Sequence, residues 1–414
     1  MSNVEIIAGL DIGSANIRMA VGELSGENDQ VNIIGLAEGP SAGVSKGTVR
    51  SIEEVVDAIR GTVANAERMT GLTLDHAYVA ISGSHVASQK SKGVIAVARP
   101  DGEIREDDVE RTLEAAQAVS VPPNYEILHV LPRTFTIDNQ SGIKDPIGMN
   151  GVRLEVEAQI IEGQSAHIKN VTKAVNLAGI GIDDLVLASL AGSESSLTER
   201  QKDLGVALLN IGAATTSLLV FEEGDILHVS VLPVGSAHIT NDIAIGLRTN
   251  IDVAELIKIQ YGHAVPDRVG KNDEIDMRTV AEEEEGSFSK RHLAEIIEAR
   301  VEEIFHMVDK SLREVGRSGK LPSGVIITGG GAKLPGMVEV AKREFRLPAG
   351  IGVPIGVESA IDKINDPGLT TAIGLVRWGV VNQMFSPRPF GNFQLKGFSG
   401  LGKQVQSIIR IFKP

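Results

Sequence analysis

Two short stretches, Gly9 to Arg18 (GLDIGSANIR) and Asn210 to Ser217 (NIGAATTS), carry the residue types that can hold a phosphate with backbone alone. In each, an apolar strand (Glu5 to Leu10, Val206 to Leu209) enters a turn of glycine and small or hydroxylated residues, and a second apolar strand leaves it (Ile17 to Val21, Leu218 to Phe221). Gly13, Ser14, Ala15 and Asn16 in the first turn, and Gly212, Ala213, Ala214 and Thr215 in the second, would aim N–H groups at an anion. Gly13 and Gly212 are expected at positive φ, with no Cβ to hold a phosphate away. Asp11, just before the first turn, is a carboxylate able to hold a water on Mg²⁺. One such turn alone is usually only a hairpin. The pair gains meaning from a third glycine run.

That run is Gly324 to Met337 (GVIITGGGAKLPGM), in which a strand of buried type, Val325 to Thr328, ends in Gly329, Gly330 and Gly331, with Lys333 close behind. Three glycines let the backbone lie flat against a planar ligand. Upstream, the helical pattern Ala254 to Gly262 sets Glu255 and Lys258 three residues apart on one face. By themselves they would be an ordinary solvated pair; beside the glycine runs, a carboxylate and an ammonium are suited to ribose hydroxyls.

The elements that must position these groups alternate. Helical periodicity over Ile52 to Thr70, Ile168 to Ala178 and Ala237 to Ile245 is interleaved with strand-like runs such as His76 to Ile81. No repeat of 20–50 residues is present; what repeats is the half-chain, a βββα-type unit opened by a glycine hairpin. An α/β architecture follows.

The order of first loop, second loop, Glu-x-x-Lys helix and GGG loop resembles the actin, hexokinase and heat-shock-chaperone ATPase superfamily. Within it, Ile127 to Glu155, including DPIGMNGVRLE at Asp145 to Glu155, resembles the inserted 1C (SHS2) domain of the FtsA family of bacterial cell-division proteins. The resemblance runs nearly end to end. It implies an actin-like two-lobed fold of duplicated ribonuclease-H-like subdomains: 1A over 1–83 and 164–203, 1C over 84–163, 2A over 204–236 and 308–383, and 2B over 237–307. A linker over 384–399 and an amphipathic helix over 400–414 would follow. The implied ligands are ATP or ADP with Mg²⁺ in the cleft. The implied partners are a second copy of the chain, the acidic C-terminal peptide of FtsZ on 2B, other divisome proteins and anionic lipid, at the division site. Lys290, Arg291 and Arg300 are the candidate cations for the FtsZ peptide, whereas Glu282 to Glu285 reads as a solvated loop.

Bulk properties agree with that picture. A chain of 414 residues can bury several cores. It has no cysteine, so disulfides and thiolate metal sites are excluded. The N-terminus lacks signal-peptide features, and no apolar run approaches a bilayer span; a cytoplasmic protein is expected. Net charge is −14, but Pro367 to Pro414 contains no Asp or Glu and carries +6, which leaves −20 for the rest. An acidic body with a basic end argues against nucleic acid and for a localised anionic contact.

In that end, Leu401, Val405, Ile408, Ile409 and Phe412 follow helical period, with Lys403, Arg410 and Lys413 opposite. A basic amphipathic helix of this kind lies in the headgroup boundary of an anionic bilayer. The alternative, a terminal helix docked on its own domain, is disfavoured by the Pro-, Gly- and Ser-rich stretch Ser386 to Ser399. Burial of five large side chains gives roughly 8–15 kcal/mol, against about 1–2 kcal/mol for each residue ordered. One copy should bind weakly; many copies on a polymer should bind firmly.

Hydrolysis is expected to be weak or absent. Where the superfamily has a lysine in the first loop, the sequence has Asn16, and Arg18, on the same strand face, is placed to supply part of that charge. Asn210 and Ser217 stand where aspartates are usual, Ala214 where a glycine is, and Ala188 where a Gln or Glu would place water. Each loss typically costs about 100- to 1000-fold in rate. The rival readings are a PilM-like pilus scaffold, which would lack the tail, and an active ATPase or kinase, which would need an aspartate at 210.

Overall fold

The computed structural model describes residues 5–24, 31–118, 121–282 and 286–385. In chain order, the first half contains β1 (Glu5–Ile12), β2 (Asn16–Leu24), β3 (Val31–Pro40), a small ladder of β4 (Val44–Ser45) and β5 (Thr48–Val49), α1 (Ile52–Thr70) and β6 (His76–Ile81). An insert follows: β7 (Val86–Ala96), α2 (Glu106–Gln117), β8 (Tyr125–Ile137), β9 (Gln140–Ile143) and β10 (Arg153–Gln164). The half closes with α3 (Ser165–Leu177) and β11 (Gly181–Leu187), and α4 (Ala188–Ser196) and α5 (Glu199–Leu204) lead onward. The second half holds β12 (Val206–Ile211), β13 (Thr216–Glu222), β14 (Asp225–Leu232), α6 (Ser236–Leu247), α7 (Ile251–Tyr261), β15 (Glu274–Asp276), β16 (Ser287–Ser289) and α8 (Lys290–Glu314). It ends with β17 (Val325–Thr328), α9 (Met337–Phe345), β18 (Ala349–Ile351), β19 (Val357–Glu358) and α10 (Thr370–Phe385).

The duplication expected from the two hairpins is visible in strand order. The first lobe's sheet runs β11-β6-β1-β2-β3-β19 and the second's β14-β13-β12-β17-β18. Each is an antiparallel meander of three strands (β1-β2-β3, β12-β13-β14) with two further strands added parallel to the first (β6 and β11, β17 and β18). This is the duplicated ribonuclease-H-like plan of an actin-like fold. The insert forms a separate sheet, β7-β10-β8-β9, covered by α2.

Local chemistry explains why the helices sit where periodicity puts them. α1 begins at Ser51, whose Oγ accepts from the Glu54 N–H, and ends at Gly71 with φ 70° and its N–H on the Glu67 carbonyl. Val55, Val56, Ile59, Thr62, Val63 and Ala66 form the stripe it buries against β2 and β3.

The lobes are joined twice. α4 leads from β11 of the first lobe toward β12 of the second, and α10 packs against α4 and against β1, β2 and β6. Ser195 Oγ donates to the Thr370 carbonyl at 2.6 Å, tying the two helices at their crossing. Two parts of the 308–383 stretch, expected with the second lobe, therefore build the first: β19 pairs with β3, and α10 covers β1 and β2. The resemblance groups them with α9; pairing of β19 with β3 and burial of one face of the first sheet under α10 decide otherwise. α10 also stays helical to Phe385, two residues into the expected 384–399 linker.

No helix among the described residues is long and apolar enough to cross a membrane. The terminal helix, with Leu401, Lys403, Val405, Ile408, Ile409, Arg410, Phe412 and Lys413, lies outside the described residues, as do Glu283 to Glu285; Glu282 is exposed.

Candidate functional site

Both glycine turns close the same way. The Gly13 N–H donates to the Asn16 carbonyl at 3.1 Å, and the Gly212 N–H donates to the Thr215 carbonyl at 2.9 Å. Asp11 faces Arg18 across the first hairpin as Asn210 faces Ser217 across the second. Neither Gly13 nor Gly212 has positive φ, contrary to expectation. The reason for glycine is steric: a Cβ would lie 2.7 Å from the Asn16 carbonyl oxygen in one and 3.2 Å from that of Thr215 in the other.

Each turn is held from behind. Ser14 Oγ accepts from the Gly47 N–H at 2.9 Å, and the Ala15 carbonyl accepts from Ser41 N–H at 2.9 Å. On the other side, the Gly212 and Ala213 carbonyls accept from the N–H groups of Ser236 (2.9 Å) and Ala237 (2.8 Å), which seats the start of α6 under the second turn. Ala214 is half-buried in that turn, with a Cβ where close backbone approach is wanted.

The third glycine run reaches the same place. Gly329 has φ 84°, and a Cβ there would meet Asn210 Oδ1 at 2.4 Å and the Ile211 carbonyl at 2.6 Å, so only glycine fits. Gly330 has open space around it, while Gly331 backs onto Ile211. The Gly329 N–H donates to the Pro367 carbonyl at 2.9 Å, and Asn210 Nδ2 donates to Thr371 Oγ1 at 3.1 Å. The segment Asp366 to Thr371, which the sequence reading missed, thus touches the second turn and the GGG loop together. Its one sequence signal is the Asp-Pro-Gly turn ahead of an apolar helix.

Charges in the cleft are unequal. Asp11 is half-buried, and loss of water pushes its pKa up to about 6 although the Arg18 guanidinium opposes the rise. Arg18 Nη2 donates to Glu38 Oε1 at 2.8 Å. Lys333 Nζ bonds Asp366 Oδ2 at 2.7 Å, and Asp366 Oδ1 accepts from the Gly368 N–H at 2.8 Å. Burial alone would raise the pKa of Asp366, yet Lys333, that N–H and Arg18 hold it below the ordinary carboxylate value.

Glu255 and Lys258 meet as the spacing predicts, 2.6 Å apart on α7. Lys258 also donates to Thr240 Oγ1 at 2.8 Å and to the Ser236 carbonyl at 3.3 Å, and Thr240 donates to Glu255. The pair is therefore built into α6 at the root of the second turn, with the lysine mostly covered and the carboxylate more open. Ala188 is the buried first residue of α4, and its side chain has no polar group with which to place a water.

Lys290, Arg291 and Arg300 all lie on α8, and each already has a carboxylate. Arg300 donates to both oxygens of Asp242 and pairs with Glu303 at 2.6 Å; Arg291 pairs with Asp267 at 3.0 Å; Lys290 lies 3.9 Å from Asp273 and over the Tyr261 ring. An acidic peptide there would have to displace these partners.

For a divalent cation, the first turn offers one carboxylate, Asp11, and the equivalent position of the second offers a neutral amide, Asn210. Among the described residues there is no group of three or more potential metal ligands. That set suits Mg²⁺ held through water between one carboxylate and a ligand's own phosphates, and does not suit a metal caged by protein alone.

Comparison with known proteins brings these features together. A profile described as "Cell division protein FtsA" matches residues 207–374, and one described as "SHS2 domain inserted in FTSA" matches residues 83–162. The chain is 38% identical over 379 residues to the cell division protein FtsA of Pseudomonas aeruginosa, covering 92% of this chain and 90% of that one. It is 38% identical to that of Bacillus subtilis, covering 94% and 87%, and 34% identical to that of Escherichia coli K12, covering 91% and 90%. Among solved structures, the PilM-PilN type IV pilus biogenesis complex aligns with a TM-score of 0.67 at 19% identity, over 90% of this chain and 98% of that one. MreB 5 of Spiroplasma citri bound to AMPPNP aligns at 0.53 with 13% identity, over 89% and 94%.

Proposed function

The chain belongs to the FtsA family of actin-like cell-division proteins, and we propose that it works there as a membrane adaptor whose interlobe cleft binds ATP or ADP, with Mg²⁺, as a conformational ligand. The observation that carries the nucleotide reading is the meeting of the second glycine turn, the GGG loop and the Asp366–Thr371 segment, with Arg18 from the first hairpin beside Gly368 of that segment. The turns would take the phosphates, the GGG loop the flat base, and Glu255 the ribose hydroxyls.

Several features support weak turnover. Transfer to water needs charge at the γ-phosphate, a firmly held metal and a group that orients the attacking water. This chain offers Asn16 in place of lysine, a single carboxylate, and an apolar Ala188 at the start of α4. Binding measured by calorimetry with Mg²⁺, alongside phosphate release, tests both statements. ATP bound without turnover at kinase-like rates is expected; absence of binding to either nucleotide overturns the reading.

The adaptor role extends to self-association into actin-like filaments through 1C, capture of the FtsZ C-terminal peptide on 2B, and attachment to anionic lipid at the division site by the terminal helix. The basic, acid-free end of the chain supports the last of these. Sedimentation with anionic vesicles should pellet the full chain and leave a chain truncated after Gly400 in solution; equal pelleting would eliminate the tether. The PilM-like alternative rests on fold likeness at 19% identity, and the tail argues against it.

A further inference from the structure

Four charged side chains near the cleft are arranged as if one of them stood in for a ligand. Asp366 lies between the lobes: Lys333 of the GGG loop bonds one carboxylate oxygen, and the Gly368 N–H bonds the other. Arg18, on the strand leaving the first turn, lies near the same segment. Its guanidinium carbon and one Nη lie 3.4 Å from the point where a Cβ on Gly368 would sit, and Asp366 Oδ1 lies 3.1 Å from that same point. A carboxylate offered a lysine, a backbone N–H and a nearby guanidinium has the surroundings of a bound phosphate oxygen. Arg18 is paired with Glu38, a carboxylate that is 43% exposed, and stands opposite Asp11 on the hairpin.

We propose that Arg18 and Lys333 are the phosphate-binding cations of the site, one from each lobe, and that Asp366 holds Lys333, and Glu38 holds Arg18, until nucleotide binding exchanges the Asp366 carboxylate for a phosphate. This rests on the nucleotide reading above and adds to it a specific pair of cations and a competitor. It also accounts for the neutral Asn16: the first turn's positive charge has moved two residues along the strand, to the position paired with Asp11. Lys333 belongs to the second lobe and Asp366 to the segment that leads into α10 of the first, so the lobes would stay bridged whether the anion is Asp366 or a phosphate held by Lys333 and Arg18.

The test is binding of adenosine, ADP and ATP to the full chain and to four variants, with unfolding curves as the control for folding. Asp366→Asn keeps an oxygen for the Gly368 N–H but removes the competing charge; ADP should bind about 3- to 10-fold more tightly, with adenosine unchanged. Arg18→Ala should weaken ADP about 10- to 100-fold without moving adenosine, and Arg18→Lys should keep most of the affinity. Adding Asn16→Lys to Arg18→Ala should restore much of the loss, which a purely structural role for Arg18 would not allow. Weaker ADP binding in Asp366→Asn, or unchanged ADP binding in Arg18→Ala, overturns the exchange while leaving the nucleotide site intact. If the unaltered chain binds neither adenosine nor ADP, the site reading itself falls and this proposal with it.

Discussion

The two glycine turns share a backbone and differ in charge. Both close with the same N–H to carbonyl bond, and both face a paired position on the returning strand. In the first the facing pair is Asp11 and Arg18, backed by Glu38; in the second it is Asn210 and Ser217, with Thr371 as the amide's partner. Strand pairing preserves the shape of such a turn through any side-chain change that keeps the meander. The charge it presents is set separately, by single residues, and here a carboxylate stands on one side only.

The largest effect should come from the shared wall of the second turn. Gly329→Ala places a methyl against Asn210 and forces an L-residue to φ 84°, and should cost about 3 kcal/mol in denaturant unfolding. Gly330→Ala, with open space around it, should stay within about 0.5 kcal/mol of the parent. Equal losses would mean that the second turn is not packed against that glycine.

The next contrast concerns the charge itself. Asp11 titrates near 6 when folded against 3.8 ordinarily, so between about pH 4 and 6 the folded state holds more protons than the unfolded one. Its contribution to stability therefore falls as pH rises through that window and stays reduced above it. Asp11→Asn should stabilise the nucleotide-free chain at pH 7.5 on the order of 2 kcal/mol and lose that advantage by about pH 4. Asn210→Asp, which makes the turns alike, should do the reverse. Unfolding at pH 4.5, 6 and 7.5 distinguishes them, and a flat profile for the parent would remove the burial argument.

Smaller effects follow from the neutral contacts. Thr371→Val leaves Asn210 Nδ2 without its acceptor and should cost about 1 kcal/mol. Ser14→Ala removes the acceptor for the half-buried Gly47 N–H and should cost about 0.5–1 kcal/mol, whereas Ala213→Ser at the equivalent place should change nothing measurable. Melting-temperature shifts suffice to rank these.

Much of the framework was legible before any coordinates. The spans Ile52–Thr70 and His76–Ile81 follow from periodicity and caps, because an amphipathic stripe and a Ser/Gly pair of helix ends are local signals. The hairpins, the GGG loop and the Glu255–Lys258 pair were readable for the same reason. Other features were not. Glycine at 13 and 212 was attributed to positive φ, and a steric contact three residues away turned out to be the cause. Lys290, Arg291 and Arg300 look like open cations in a sequence; their carboxylates at Asp273, Asp267 and Asp242 come from other turns of the chain.

Pattern and composition alone determined the duplicated α/β halves and the uneven charge along this chain, since each is written in neighbouring residues, while the inserted domain came from a family resemblance. Only the tertiary structure decided that β19 and α10 complete the first lobe, and that Asp366 sits with Lys333 and near Arg18. Those residues are separated by up to hundreds of positions, and nothing but the burial of apolar faces and the pairing of charges removed from water brings them together.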